Sequence, residues 1–317
     1  ISLMIIAVIL ISPISLNTAK SSQPTYGTDN LETTPPDKQE VFLINEAGNI
    51  TDAWKGNNTA IYHYNDNTWE QVDTGNKVEA IQRAVDNATT NNNRVIVGEG
   101  TYNGTLNIKN DNVTEVTGYK NKPTINAEKL GNPITISIED ITVKNLTITN
   151  SDSDDAGIKI NSNNATIQNN TITKNDGNGV ELDSSSNNTI NSNNITSNND
   201  GVELSSSSNN NTINSNNITE NNNYGVYLVS SSNNTINSNN ITKNVNNGVY
   251  LVSSSNNTIS SNNITSNNYG VFLSSSSDNT INSNNITKNV YNGVHLSSSS
   301  DNNTINSNEI TNNNDVG

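Results

Sequence analysis

From Gly157 onward the apolar positions of the chain are few and strictly placed. Each copy holds two isoleucines five residues apart and a Gly-Val/Ile-x-Leu/Ile group, as in Ile190, Ile195 and Gly201-Val202-Glu203-Leu204. The pairs are Ile167/Ile172, Ile190/Ile195, Ile213/Ile218, Ile236/Ile241, Ile259/Ile264, Ile281/Ile286 and Ile305/Ile310. The glycines Gly157, Gly179, Gly201, Gly225, Gly248, Gly270, Gly293 and Gly317 are 22, 22, 24, 23, 22, 23 and 24 residues apart, the variation falling in the Ser and Asn runs. Constant strands with elastic corners predict a solenoid whose insertions sit in loops. Val202 and Leu204 alternate at period two, so they share a face and Glu203 takes the other. Five is odd, so Ile190 and Ile195 cannot share one unbroken strand. The bend is expected at Asn193, and the same offset after Ile195 gives Asn198, because Asn tolerates left-handed backbone and its amide bonds nearby main chain. Three short strands per coil, stacked at about 4.8 Å, predict an all-β parallel β-helix. Asn193, Asn216, Asn239, Asn262, Asn284 and Asn308 then form an internal amide ladder.

Leucine-rich repeats share the Ile-x-x-Asn-x-Ile spacing, but their convex side needs a helix or apolar filling. The corresponding span here, "SNNDGVELSSSS", has no helix-forming content. Upstream, "NKVEAIQRAVDNA" places Val78, Ile81, Val85 and Ala88 on one helical face, with Asn76 as N-cap and Glu79 three residues on. This helix, about residues 77–89, and the β-branched "RVIV" that follows suit a cover for the open end of a stacked β structure. The β-helix is thus expected over residues 76–317, with regular repeats from 157. Residues 20–75 read as a Pro/Ser/Thr linker and a small segment, whose aromatics from Trp54 to Trp69 leave open a strand pair or an extension of the next element. Leu3–Ile11 is an apolar run followed by small and polar residues, which reads as the h-region of a secretory signal over residues 1–19, its basic start lying before residue 1. Asp315-Val316-Gly317 opens another copy of the repeat, so the coil is expected to continue past this end.

Composition changes the picture only by exclusion. Hydrophobic residues are 30 %, a share that suggests disorder in an aperiodic chain, but stacked repeats share one thin core. Net charge is −15 and the only arginines are Arg83 and Arg94, so the clustered cations of a nucleic-acid track are missing. An acidic, hydrated surface suits a secreted or cell-surface protein, periplasmic where the cell has an outer membrane. With no cysteine, disulfides and thiolate chemistry are excluded.

The helix-to-strand passage "VEAIQRAVDNATTNNNRVIVGEGTYNGTLNI" followed by the I-x-x-N-x-I and G-V-x-L repeats resembles the right-handed parallel β-helix proteins of the pectin-lyase-like superfamily, and more narrowly the NosD-type β-helix domains. The resemblance spans about residues 76–317 and implies the fold; on this fold sit lyases, hydrolases, adhesins and structural stalks alike. Polysaccharide lyases and glycoside hydrolases of the superfamily use a calcium-binding carboxylate cluster with an Arg or Lys base, or grouped aspartates. No arginine follows Arg94, and the coil lysines Lys159, Lys174, Lys243 and Lys288 are single. Glu181 and Glu203 fall on adjacent coils, about the 5 Å apart of a retaining glycosidase pair, but read as a solvated acidic face. Asp152, Asp154 and Asp155 offer hard oxygens for Ca²⁺ without the spacing of a complete loop. Copper, which the NosD resemblance implies, needs His, Met or Cys; the chain has His63, His295 and Met4. No cofactor is therefore expected beyond Ca²⁺.

The outward position of G-V-x-L reads Lys159, Glu181, Glu203, Tyr227, Tyr250, Phe272, His295 along the coils. Tyr227, Tyr250, Phe272 and His295 are the candidate ligand site, for a glycan or a surface protein; ring packing between strands is the competing reading. Thr189, Thr212, Thr235, Thr258, Thr280 and Thr304 form a second outer column, one threonine per coil where ice-binding solenoids show two. Asn-x-Thr sequons recur, and Asn194 is expected to face out. The expected role is a secreted, non-catalytic, adhesin-like β-helix module, with a carbohydrate-active enzyme as the alternative.

Overall fold

The computed structural model describes residues 40–46, 50–56, 61–65, 68–73, 75, 77–119 and 121–315. The expected signal segment, residues 1–19, and the expected linker up to residue 39 lie outside them. The described chain winds as a parallel β-solenoid of three sheets. One coil runs Val202–Ser205 in a nine-stranded sheet, Thr212–Asn214 in a fourteen-stranded sheet, and Asn217–Thr219 in a ten-stranded sheet. Strands pair in parallel with the next coil in strict register: Ile190 opposite Ile213, Ile195 opposite Ile218, Leu204 opposite Leu228. Ile190, Ile195, Val202 and Leu204 are fully buried, and so are their equivalents along the column up to Ile286.

Four such side chains per coil make a thin core, and the corners complete it with amides. Asn193 donates from Nδ2 to Ile167 O (2.8 Å) and to Asn216 Oδ1 (3.0 Å), and its backbone N–H donates to the same Oδ1 (2.9 Å). The pattern continues through Asn216, Asn239, Asn262 and Asn284 to Asn308. Buried main-chain groups at each bend are thereby satisfied without water, as a dry interior requires. The predicted ladder is one of three. Asn175, Asn198, Asn221, Asn244, Asn267, Asn289 and Asn313 form a second at the next corner. Asn188, Asn211, Asn234, Asn257, Asn279 and Asn303 form a third after the Ser run, where each backbone N–H donates to the next Oδ1.

The bend residue itself differs from expectation. The left-handed backbone belongs to Ser192 (φ 58°), Ser215 (φ 57°) and Ser238 (φ 57°), each one residue before the ladder Asn. Turning the chain at the serine aims the following Asn side chain inward, where its amide spans two coils.

The glycine before each Val is required by crowding between coils. A Cβ on Gly179 would lie 2.6 Å from Gly201 O and 2.7 Å from Ile195 Cγ2, inside contact distance of backbone that cannot yield.

At the N-terminal end α1 (Val78–Asp86) packs against β1 (Glu40–Ile44), β2 (Ile50–Gly56) and the strand Leu106–Ile108. It buries Val78, Ala80, Ile81, Ala84 and Val85, a wider face than the expected stripe because it lies across the coil's end. Lys77 is the boundary residue, its backbone already helical and its side chain bonding no cap; the expected N-cap Asn76 lies outside the described residues. Residues 40–73 are no separate segment. β1 pairs antiparallel with Asn93–Val97, and β2, β3 (Ile61–Asn65) and β4 (Thr68–Asp73) continue the same sheet. Every residue of β1 is buried, so among the described residues the solenoid's closed end includes Glu40–Ile44, ahead of the expected start at residue 76.

Candidate functional site

The nine-stranded sheet presents the candidate ring column outward. Register places Lys159 opposite Glu181, Glu181 opposite Glu203, Glu203 opposite Tyr227, Tyr227 opposite Tyr250, Tyr250 opposite Phe272 and Phe272 opposite His295. The rings touch in sequence. Tyr227 stacks on Tyr250 (centroids 5.4 Å, 16°), Tyr250 meets Phe272 edge to face (5.2 Å, 85°), and Phe272 stacks on His295 (4.6 Å, 29°). The competing reading, ring packing between strands, is thus also realised, and such pairs add to sheet stability. The side chains remain half-buried, so edges and phenol hydroxyls reach solvent.

Three further rings, not singled out from sequence, complete the surface. Tyr224 and Tyr269 stand directly before Gly225 and Gly270, where the coil turns into the sheet. Tyr224 bridges Tyr227 and Tyr250, both at 5.1 Å. Tyr269 bridges Phe272 at 5.2 Å and His295 at 5.7 Å, and also touches Tyr291 at 5.1 Å. The signal for Tyr224 and Tyr269 was the position before the repeat glycine, alternately Tyr and Asn from Tyr224 to Asn292.

The same position carries a carboxylate one coil earlier. Asp200 is 4 % exposed and accepts hydrogen bonds from Tyr224 N (2.8 Å) and from the Asn223 side chain. Burial pushes its carboxyl up to about 6, against those two bonds, which lower it. Glu203 accepts from Asn178 Nδ2 and is also raised, chiefly by burial, with the Asp200 and Glu181 charges adding to it. Glu203 is half-buried opposite Tyr227, less solvated than the expected acidic face. Glu181 is not a free partner for it: Lys159 Nζ holds Glu181 Oε1 at 2.9 Å.

Other candidates are not gathered into sites. Asp152 Oδ1 accepts from Ser153 N and Asp155 Oδ1 from Asn132 Nδ2, and among the described residues no three His, Cys, Asp or Glu side chains converge to hold a metal. The candidate Ca²⁺ set Asp152, Asp154 and Asp155 lies in a turn in which Asp152 caps its own backbone and Asp155 bonds the neighbouring coil. His63 pairs with Asp52 and stacks on Trp54, away from His295 on the last coils. Arg94 is bound to Glu115 (3.0 Å) on the fourteen-stranded sheet, not on the ring face. The Thr189 column faces outward in register. Asn194 faces outward too, but its Oδ1 accepts from Asn217 Nδ2 at 2.7 Å in an outer amide chain, so a glycan there would break a stacked pair. An open depression of ≈ 600 Å³ lies at the corner entering the fourteen-stranded sheet, lined by Asn91, Asn92, Asp111, Thr114, Glu139 and Asp140, and contains none of the predicted site residues. No helix among the described residues is long and apolar enough to cross a membrane.

Comparison with known proteins agrees with this architecture. No curated protein sequence matches the chain. Similar solved structures include pectate lyase Pel9A (16% identity, TM-score 0.52, 72% of this chain and 72% of that one) and the Dettilon tailspike protein (14% identity, TM-score 0.54, 69% and 48%). The A-module of the Azotobacter vinelandii mannuronan C-5 epimerase AlgE4 is also similar (18% identity, TM-score 0.50, 69% and 76%). The match spans 63% of a periplasmic alginate epimerase AlgG variant, at a TM-score of 0.48. At these identities the likeness is one of fold. The family model described as right handed beta helix region matches residues 101–239 and 156–310, a general description rather than the NosD type. The chain belongs to the right-handed β-helix family.

Proposed function

We propose that this chain is a secreted or cell-surface, non-catalytic, adhesin-like β-helix module that binds a glycan along the ring face of its nine-stranded sheet. The observation that carries the reading is the unbroken contact of Tyr224, Tyr227, Tyr250, Tyr269, Phe272, Tyr291 and His295 on one side of the solenoid. Apolar rings with polar tips, set on a rigid sheet, offer CH-π surface and hydroxyl partners at little ordering cost. The similar structures named as a pectate lyase and a mannuronan epimerase support a saccharide ligand. Affinity electrophoresis on a panel of polysaccharides is expected to show retention by the native chain and its loss in a Tyr227→Ala/Tyr250→Ala/Phe272→Ala triple variant. Equal mobility of the two proteins in every gel removes the site.

A second reading, a glycan-cleaving enzyme, is favoured by Asp200 and Glu203, two sheltered carboxyls with raised pKa beside the rings. Reducing-end release from neutral or uronate polysaccharides, with or without Ca²⁺, and its loss in Glu203→Gln would replace the binding reading.

A further inference from the structure

The ring face carries charge information that narrows its ligand. Resting on the glycan-binding reading above, we infer that the strip takes an uncharged polysaccharide, not a polyuronate. The argument starts at its acidic end. The one lysine in the outward column, Lys159, is tied to Glu181, and Asp155 and Asp183 add to the negative field around it. Beyond that pair come Glu203 and Asp200, each held by neutral donors: Asn178 Nδ2 for Glu203, Tyr224 N and the Asn223 side chain for Asp200. Glu203 sits opposite Tyr227, so a chain lying along the rings meets a carboxylate where the column ends. A polyuronate brings one negative charge per sugar into this half-buried strip. The repulsion is strengthened by the lowered dielectric there and by the chain's net charge of −15.

The same groups suit hydroxyls. Ionised carboxylates accept charge-assisted hydrogen bonds from O–H donors, and the phenols of Tyr224, Tyr227, Tyr250 and Tyr269 both donate and accept. Successive ring centroids in the column stand 5.4 and 5.2 Å apart from Tyr227 to Phe272, a spacing of the same order as the sugar repeat of an extended pyranose chain. An uncharged chain can thus advance about one sugar per coil, its apolar patches on the exposed ring edges and its hydroxyls on phenols and on Glu203.

The test uses the full chain at neutral pH with dextran, laminarin and galactomannan against polygalacturonate and alginate, at low and high salt. Retention by at least one uncharged polymer, unaffected by salt and weakened by Tyr250→Ala, is expected, with polyuronates not retained. Glu203→Lys, checked for retained fold by circular dichroism, is expected to tighten the apparent polygalacturonate Kd about three- to tenfold, enough for retention to appear in the gel. Native retention on polyuronates alone, or equally on both classes, overturns the charge argument while leaving glycan binding in place. Retention on nothing overturns the glycan reading itself, and an unchanged polygalacturonate affinity in Glu203→Lys shows that this carboxylate does not select the ligand.

Discussion

Asn239→Ala removes one rung from the middle of the Asn193–Asn308 amide ladder, and its cost can be worked from the bonds lost. Asn239 Oδ1 accepts from Asn216 N (2.9 Å) and Asn216 Nδ2 (3.0 Å), while its Nδ2 donates to Ile213 O (2.8 Å) and Asn262 Oδ1 (3.0 Å). The residue is 2 % exposed, so water cannot take over these roles. Truncation strands the Asn216 N–H and the Ile213 carbonyl, at about 1–3 kcal/mol for each stranded group. It also leaves a small void, so the total is about 3–5 kcal/mol. Stability in a solenoid is a sum over neighbouring coils, so the loss is read locally. Amide hydrogen exchange at Asn216 is expected to speed up by about a hundred- to thousandfold, together with a lower urea midpoint. The control is Asn240→Ala, the next residue in sequence, whose amide bonds Asn217 on the exposed face. There solvent replaces the lost partners and the change stays within about 0.5 kcal/mol. If the two variants exchange and unfold alike, the ladder does not hold the corners and the account of the fold is wrong.

Asp200 ties stability to pH. Its carboxyl rises from 3.8 to about 6 on folding, so the folded state binds the proton more tightly; that contribution is complete below pH 3.8 and lost as pH rises through 6. Asp200→Asn is therefore expected to be more stable than the native chain by about 2–3 kcal/mol at pH 7.5 and equal to it near pH 3.5, measured by urea titration at both. Equal effects at the two pH values would show that Asp200 is not buried as described. Gly179→Ala, which drives a methyl against Gly201 O, is expected to cost about 1–3 kcal/mol in thermal or urea unfolding, whereas Gly131→Ala, with only ordinary contacts to Thr105 and Asp155 but φ +137°, tests strain without crowding. A Gly179→Ala protein as stable as the native one refutes the contact argument.

The order of isoleucines, glycines and asparagines was enough by itself to dictate the solenoid, its three strands per coil and the ladder from Asn193 to Asn308, because stacked identical coils turn a linear repeat into a column. It also placed Tyr227, Tyr250, Phe272 and His295 on one face, since period-two alternation leaves no other choice beside inward Val and Leu. What depended on contacts between coils could not be read along one coil. The bend falls on Ser192 and not Asn193, because the inward amide must reach the next rung; the glycine is fixed by the carbonyl of the following coil. Tyr224, Tyr269 and Asp200 join the ring face only because the corner before the glycine folds back over the neighbouring strand. The strands β1 to β4, with no repeat to read, take their place through the pairing of β1 with Asn93–Val97, where an otherwise open edge offered its hydrogen bonds, and through packing against α1.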